Sequence, residues 1–208
     1  LAGALLCICA PQHAHADITG VSGAMTPIAP PPSLVVGALE SSTAMYIIDE
    51  GTTFLPGPVF VDAFGPGPQF PAGPLALLPA GLPVQTYLVH FDPVGGLFAS
   101  VTGAVTFEVG ETIVGIAMHT PYLDATDPFP IGVPGTIYPT GDLDRGFETL
   151  PGIDTGFIAF DLNSVTFDMF AELGIDQARI FTTIPEPASA AALLLFAAAP
   201  IVRRKPRA

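Results

Sequence analysis

The chain has 208 residues, half of them hydrophobic and only 12% charged, with 19 acids against 6 bases and a formal net charge of −13. The length suits one domain with tails, and the acid excess excludes a general nucleic-acid binder, which needs basic surface to neutralise phosphates. Low charge with high hydrophobicity excludes wholesale disorder, and 22 glycines with 24 prolines exclude an all-helical bundle, because both residues break helices.

Residues 1–10 (LAGALLCICA) form a short apolar run that Pro11 ends, followed by Ala14-His15-Ala16 and then Asp17. An apolar stretch of this length before an A-x-A pattern reads as the h-region and cleavage site of a secretory signal peptide over 1–16. The chain starts at Leu1 without an initiator Met or a basic n-region, so the true N-terminus is expected upstream. Cutting after Ala16 removes Cys7 and Cys9, the only cysteines, and leaves a body with no disulfide, thiolate nucleophile or cysteine metal site. The Sec translocon and a signal peptidase are the partners this segment implies.

The body, 17–184, holds 21 Gly and 19 Pro among its 168 residues, a density that demands many turns. In chain order, 27–33 with Pro30-Pro31-Pro32 reads as an extended lead-in. Thr43–Asp49 is rich in β-formers. The segment 54–83, with eight prolines, reads as a long loop or as short edge strands separated by turns. Gln85–Asp92 puts Thr86, Leu88 and His90 on one face and Tyr87, Val89 and Phe91 on the other. Ser100–Val109 alternates cleanly, with Val101, Gly103, Val105, Phe107 and Val109 facing one way. Thr112–His119 is nearly all apolar and suits a central strand. Gly156–Leu162 and Val165–Phe170 make a hairpin around Asn163-Ser164, a short turn fits Ala171–Gln177, and Arg179–Thr183 is a last short strand. Strands recurring at such spacing between turn signals predict an all-β, sandwich or jelly-roll-like domain with long Pro/Gly-rich loops.

Between these strands, 120–155 reads as a long loop hanging from the sandwich. It carries Asp124, Asp127, Asp142, Asp144, Glu148 and Asp154. Hard cations take six to eight oxygens, so Asp142, Asp144, Asp124 and Asp127 are candidate calcium ligands, although neither EF-hand spacing nor nonapeptide repeats occur. The alternative is an acidic, solvated loop, or one organised by Arg145 through charge-assisted bonds to Asp142, Asp144 and Glu148. No catalytic residue emerges. The body's two histidines, His90 and His119, fall in separate predicted strands and read as a packed strand residue and a strand-end residue. No H-E-x-x-H, G-x-S-x-G or Walker pattern occurs. A glycoside hydrolase needs two carboxylates across a cleft, and Asp92, Glu108 and Glu111 are nominated only arbitrarily.

At the other end stand Pro185-Glu186-Pro187, an apolar run over 188–202 and Arg203-Arg204-Lys205-Pro206-Arg207. Fifteen helical residues span about 22 Å, short for a hydrocarbon core of about 30 Å, but Ile184 and snorkelling arginines extend the span. The basic cluster should stay cytoplasmic and the acidic body should lie on the far side. Four of the six bases sit in this tail, so 17–187, with 19 acids, Arg145 and Arg179, carries −17 and no lysine.

The tripeptide, the short apolar helix and the basic end together resemble the PEP-CTERM sorting signal, over 184–207. What the resemblance implies is an exported protein of a Gram-negative, exopolysaccharide-producing bacterium. An exosortase, a membrane-embedded cysteine transpeptidase, would recognise it and remove the tail near Pro185-Glu186-Pro187. The body, through His90-Phe91-Asp92-Pro93-Val94-Gly95, Pro134-Gly135-Thr136-Ile137-Tyr138-Pro139 and Arg145-Gly146-Phe147-Glu148, resembles a recurrent body type among PEP-CTERM proteins, a grouping that brings no mechanism with it. The expected function is a non-enzymatic structural or interaction protein, anchored transiently in the inner membrane and then placed in the cell envelope or extracellular matrix, with exopolysaccharide as a further partner. The alternatives are a secreted calcium- or carbohydrate-binding module and, third, an extracellular hydrolase.

Overall fold

Alternation decides the first sheet. Its strands β1 (Ile18–Gly23), β8 (Ala99–Phe107), β11 (Ser164–Ala171), β10 (Thr155–Ile158) and β5 (Gly67–Gln69) lie in that spatial order, all antiparallel. In β8, Val101, Gly103, Val105 and Phe107 are buried while Ser100, Thr102 and Thr106 are exposed, the signature of a sheet with one wet face. The computed structural model describes residues 17–69, 76–147, 154–171 and 174–184.

The second sheet runs β2 (Met25–Ile28), β3 (Met45–Phe54), β7 (Pro83–Phe91), β12 (Asp176–Thr183) and β9 (Ile113–Ala117), antiparallel except for the β2–β3 pair. Its central strands are buried on both faces: eight of the nine residues of β7 and seven of the eight of β12 are inaccessible. One face packs on the first sheet through Met45, Ile47, Tyr87, Val89, Phe91 and Ile180 against Val105, Phe107, Val165, Phe167 and Met169. The other meets a second apolar layer that includes Leu34, Val59, Val61, Leu78, Leu123 and Ile131, contributed by the 32–38 segment, the small ribbon of β4 (Val59–Val61) with β6 (Ala76–Leu78), and the region after β9. The mostly β, antiparallel character expected from sequence is therefore observed.

Several expectations change. The stretch 120–147 does not hang free: it lies on the second sheet and opens with a helix, α1 (Thr120–Thr126), started by Pro121 in its first turn and burying Leu123 and Thr126. Ala171 closes β11 and Asp176-Gln177 open β12, so the final strand starts three residues earlier than expected, while Glu172 and Leu173 of the expected turn lie outside the described residues. His119 is the residue before α1 and not a strand end, and Val109 lies beyond β8 and is 93% exposed. The 54–83 segment does form short strands. The expected signal peptide over 1–16 and the expected transmembrane helix over 188–202 lie outside the described residues, among which no helix is long and apolar enough to cross a membrane.

The chain crosses between the sheets at Gly23-Ala24. Gly23 has φ +64°, and Ala24 donates its N–H to Thr102 O at 2.8 Å while its carbonyl accepts from Met45 N at 3.0 Å. This corner is stitched so closely over β8 that a Cβ on Gly103 would lie 2.7 Å from the backbone N of Met25. Backbone cannot yield as a side-chain tip does, so Gly103→Ala is expected to destabilise the fold by about 1–3 kcal/mol, as overpacking does. Chemical denaturation measures it, and an unchanged midpoint would contradict the close approach.

Candidate functional site

Three of the residues singled out in 120–155, Asp124, Asp127 and Arg145, meet in one ionic cluster on the back of the second sheet. The β12 register sends Ala178 and Ile180 to the inter-sheet core and Gln177, Arg179 and Phe181 to the opposite face, beside His90 and Leu88 of β7. A bulge between Asp49 and Gly51 of β3 accompanies the turn of Glu50 to that same face. Arg145 arrives from the loop. Both arginines, the only bases of the body, are fully buried.

Their partners account for this. Arg145 Nη1 donates to Asp127 Oδ2 at 2.6 Å and to Asp124 Oδ1 at 2.8 Å, and its Nε and Nη2 donate to Gln177 Oε1 at 3.0 and 2.6 Å. Arg179 forks onto Glu50, Nε to Oε2 at 2.7 Å and Nη2 to Oε1 at 2.9 Å. It also reaches Asp127 Oδ1 at 3.3 Å and Thr126 Oγ1 at 2.5 Å. Asp127 thus bridges the two guanidinium groups, and Thr140 Oγ1 donates to it at 2.5 Å. Tyr138 caps the cluster: its hydroxyl donates to Glu50 Oε1 at 2.7 Å, and its ring lies 5.3 Å from the Arg179 guanidinium carbon. Burial alone would lower the Arg179 pKa, but Glu50 and then Asp127 drive it up; burial and Glu50 likewise raise that of Tyr138. Gln177 Nε2 donates to His90 Nδ1 at 2.8 Å, which leaves the ring proton on Nε2, facing the Leu39 backbone but without a partner at hydrogen-bond distance. Burial, then the Arg145 charge, push His90 down to about 4, so the ring is neutral.

Of the four candidate calcium ligands, Asp124 and Asp127 come together, but on Arg145. Asp142 and Asp144 join each other: Asp144 N donates to Asp142 Oδ1 at 3.1 Å in a local turn. Among the described residues no three carboxylate, imidazole or thiol side chains converge where they would hold a metal ion. Glu148 lies outside the described residues, and Asp154 accepts from Phe170 N at 2.7 Å. Arg145 organises the loop as expected, but through acids 18 and 21 positions away instead of Asp142 and Asp144.

Two further polar sites form around His119 and Glu111, whose partners the sequence does not indicate. Asp62, fully buried, accepts from the N–H groups of Met118 and His119 at 2.6 and 2.9 Å and from His119 Nδ1 at 2.6 Å. This fixes the Nδ1–H tautomer and locks the 62–63 segment to the β9–α1 junction. Among the described residues no hydroxyl or thiol is hydrogen-bonded to His119. Glu111, 1% exposed, accepts from Tyr87 Oη at 3.1 Å and from Thr182 Oγ1, and burial pushes it up to about 7.

Glu111 and the two arginines of the cluster are buried, whereas the His119 and Asp124 side chains are partly exposed, at 23% and 25%. Comparison with protein-family models, curated proteins and solved structures finds no match to this chain.

Removing one partner of a buried ion pair strands the others, at a cost of about 3–5 kcal/mol. Arg145→Ala is expected to lose stability on that scale and to expose 120–147 to limited proteolysis, whereas Asp144→Ala should change stability by less than about 0.5 kcal/mol. Arg145→Lys should rescue little, because an ammonium cannot fork onto Asp127 and Gln177. An Arg145→Ala protein that resists protease as wild type does would overturn the clasp.

Glu111 makes a pH prediction. Its carboxyl ionises near its ordinary 4.5 when unfolded and near 7 when folded, so folding takes up a proton between those values. The contribution is full below the unfolded value and is lost as pH rises through the folded one. Glu111→Gln, neutral throughout, should match wild type in melting temperature at about pH 4 and exceed it at about pH 8; parallel curves across that range would refute the assignment.

Proposed function

We propose that this chain is an exported, non-enzymatic surface or matrix protein: a jelly-roll-like β-sandwich body delivered through Sec and sorted by an exosortase through the tail 185–208. One observation supports this reading beyond the tail residues themselves. Ile18 pairs with Phe107 at the end of β8, and Thr183 exchanges hydrogen bonds with Thr112, N to O at 2.8 Å and Oγ1 from N at 2.9 Å. The first and last paired residues of the described body, Ile18 and Thr183, therefore lie beside the 108–112 turn, two positions after Ala16 and two before Pro185. A body tethered by either terminal segment would stand on that turn with the rest of the sandwich projecting away.

The strand adjoining the tail is suited to surviving its removal. β12 is hydrogen-bonded to β7 on one side and β9 on the other, so a cut near Pro185-Glu186-Pro187 leaves a central strand fully paired. On this reading the acids on the body's surface keep it soluble after release, while the bases that orient it in the membrane depart with the tail. Intact mass of the protein from its native host tests this. The expected mature species starts at Asp17 and ends near Pro185-Glu186-Pro187. A species retaining 188–207 would overturn exosortase processing, and Pro185→Ala with Glu186→Ala should leave the tail attached.

A further inference from the structure

The outward face of the first sheet carries a feature that the buried clusters do not explain. Ser100 and Thr102 of β8, Asp168 and Phe170 of β11, and Thr155 of β10 line an open groove of about 460 Å³. Thr102 and Asp168 are cross-strand partners, and Thr102 Oγ1 donates to Asp168 Oδ1. Among the described residues no donor reaches Asp168 Oδ2, so this acceptor stands ready at the groove. Beside it Phe98, 62% exposed, lies with its ring centroid 6.3 Å from that of Phe170.

Three hydroxyls, one carboxylate and an aromatic pair of exposed Phe98 and half-buried Phe170 are matched to a ligand with both polar and apolar surfaces. Vicinal hydroxyls of a sugar ring suit a carboxylate with an adjacent hydroxyl, and its C–H face suits an aromatic edge. The charge of that ligand is also constrained. Both body arginines are buried on the other sheet and the body has no lysine, so nothing at the groove can pair with an anion. A body charge of −17 repels polyanions from it. We propose that this groove binds a neutral glycan chain, with Thr102 and Asp168 as its hydrogen-bonding pair and Phe98 and Phe170 as its apolar platform. The groove lies at the Ala99 end of β8, opposite the Phe107 end where both chain ends leave. Its outward presentation on a tethered protein rests on the sorting proposed above, whereas the binding itself does not.

Isothermal titration of the full-length chain with cellohexaose, mannohexaose and a neutral glucan hexaose tests the proposal, with hexagalacturonate as the anionic counterpart. At least one neutral hexaose should bind saturably and hexagalacturonate should not. Asp168→Asn should weaken binding about tenfold or more, since a bond to a charged acceptor is lost, and Phe98→Ala at least about threefold, both without a shift in melting temperature because these side chains are exposed. Absence of saturable binding by all three neutral hexaoses, equal binding by hexagalacturonate, or wild-type affinity in both variants would overturn the assignment. Since titration reads the groove and intact mass reads the tail, failure of one leaves the other standing.

Discussion

One carboxylate, that of Asp127, holds the second layer of this protein in place. It is 7% exposed and accepts from both guanidinium groups of the body, one arriving from the loop and the other rooted in a central strand. In a low-dielectric setting such a group stays charged only if its partners are fixed around it, and those partners are costly to bury without it. The constraint is mutual. Arg145 needs Asp124, Asp127 and Gln177 to lie under it, so 120–147 folds back onto the sheet; Arg179 needs Glu50, so β3 bulges where that residue turns in. The apolar layer of Leu34, Leu123 and Ile131 then closes over a sheet face that already carries charge.

The same cluster changes what the net charge means. With both arginines consumed internally, ionic contact with the surroundings is left to acids. That surface favours solubility and monomeric behaviour, repels anionic polymers, and gives the outer face of the first sheet no cation to offer. The two sheets are therefore chemically unlike. One has central strands buried on both sides and carries the structural ion pairs, while the other keeps a wet face with hydroxyls, Asp168 and the Phe98–Phe170 pair.

Where strands were legible, one face met solvent or both were apolar. Ser100–Val109 is readable because its outward residues are polar, and Thr112–His119 because nearly all of it is apolar. β1 and β2 are not, since ITGVSGAMTPI is interrupted by glycine and proline and its partners are distant in sequence. The start of β12 is hidden because Asp176 and Gln177 look like loop residues until the contact of Gln177 with Arg145 is known. α1 is too short to show a helical period. The site was legible only in part: Arg145 stood out as a cation among acids, but Asp142, close to it in sequence, accepts from the Asp144 backbone N–H, and Arg145 pairs with Asp124 and Asp127.

The residue pattern alone determined the all-β character, the acidic body, the turn-rich nature of the Pro-rich 54–83 segment, and the expectation that both ends are sorting segments. These rest on local periodicity and composition, which neighbouring residues carry. Tertiary structure decided which acids face which bases, which sheet has a wet face, and that both ends leave beside one turn. Those outcomes depend on strands and loops that meet across distant stretches of chain, from 18 residues between Arg145 and Asp127 to 129 between Glu50 and Arg179, and no local pattern records such a return.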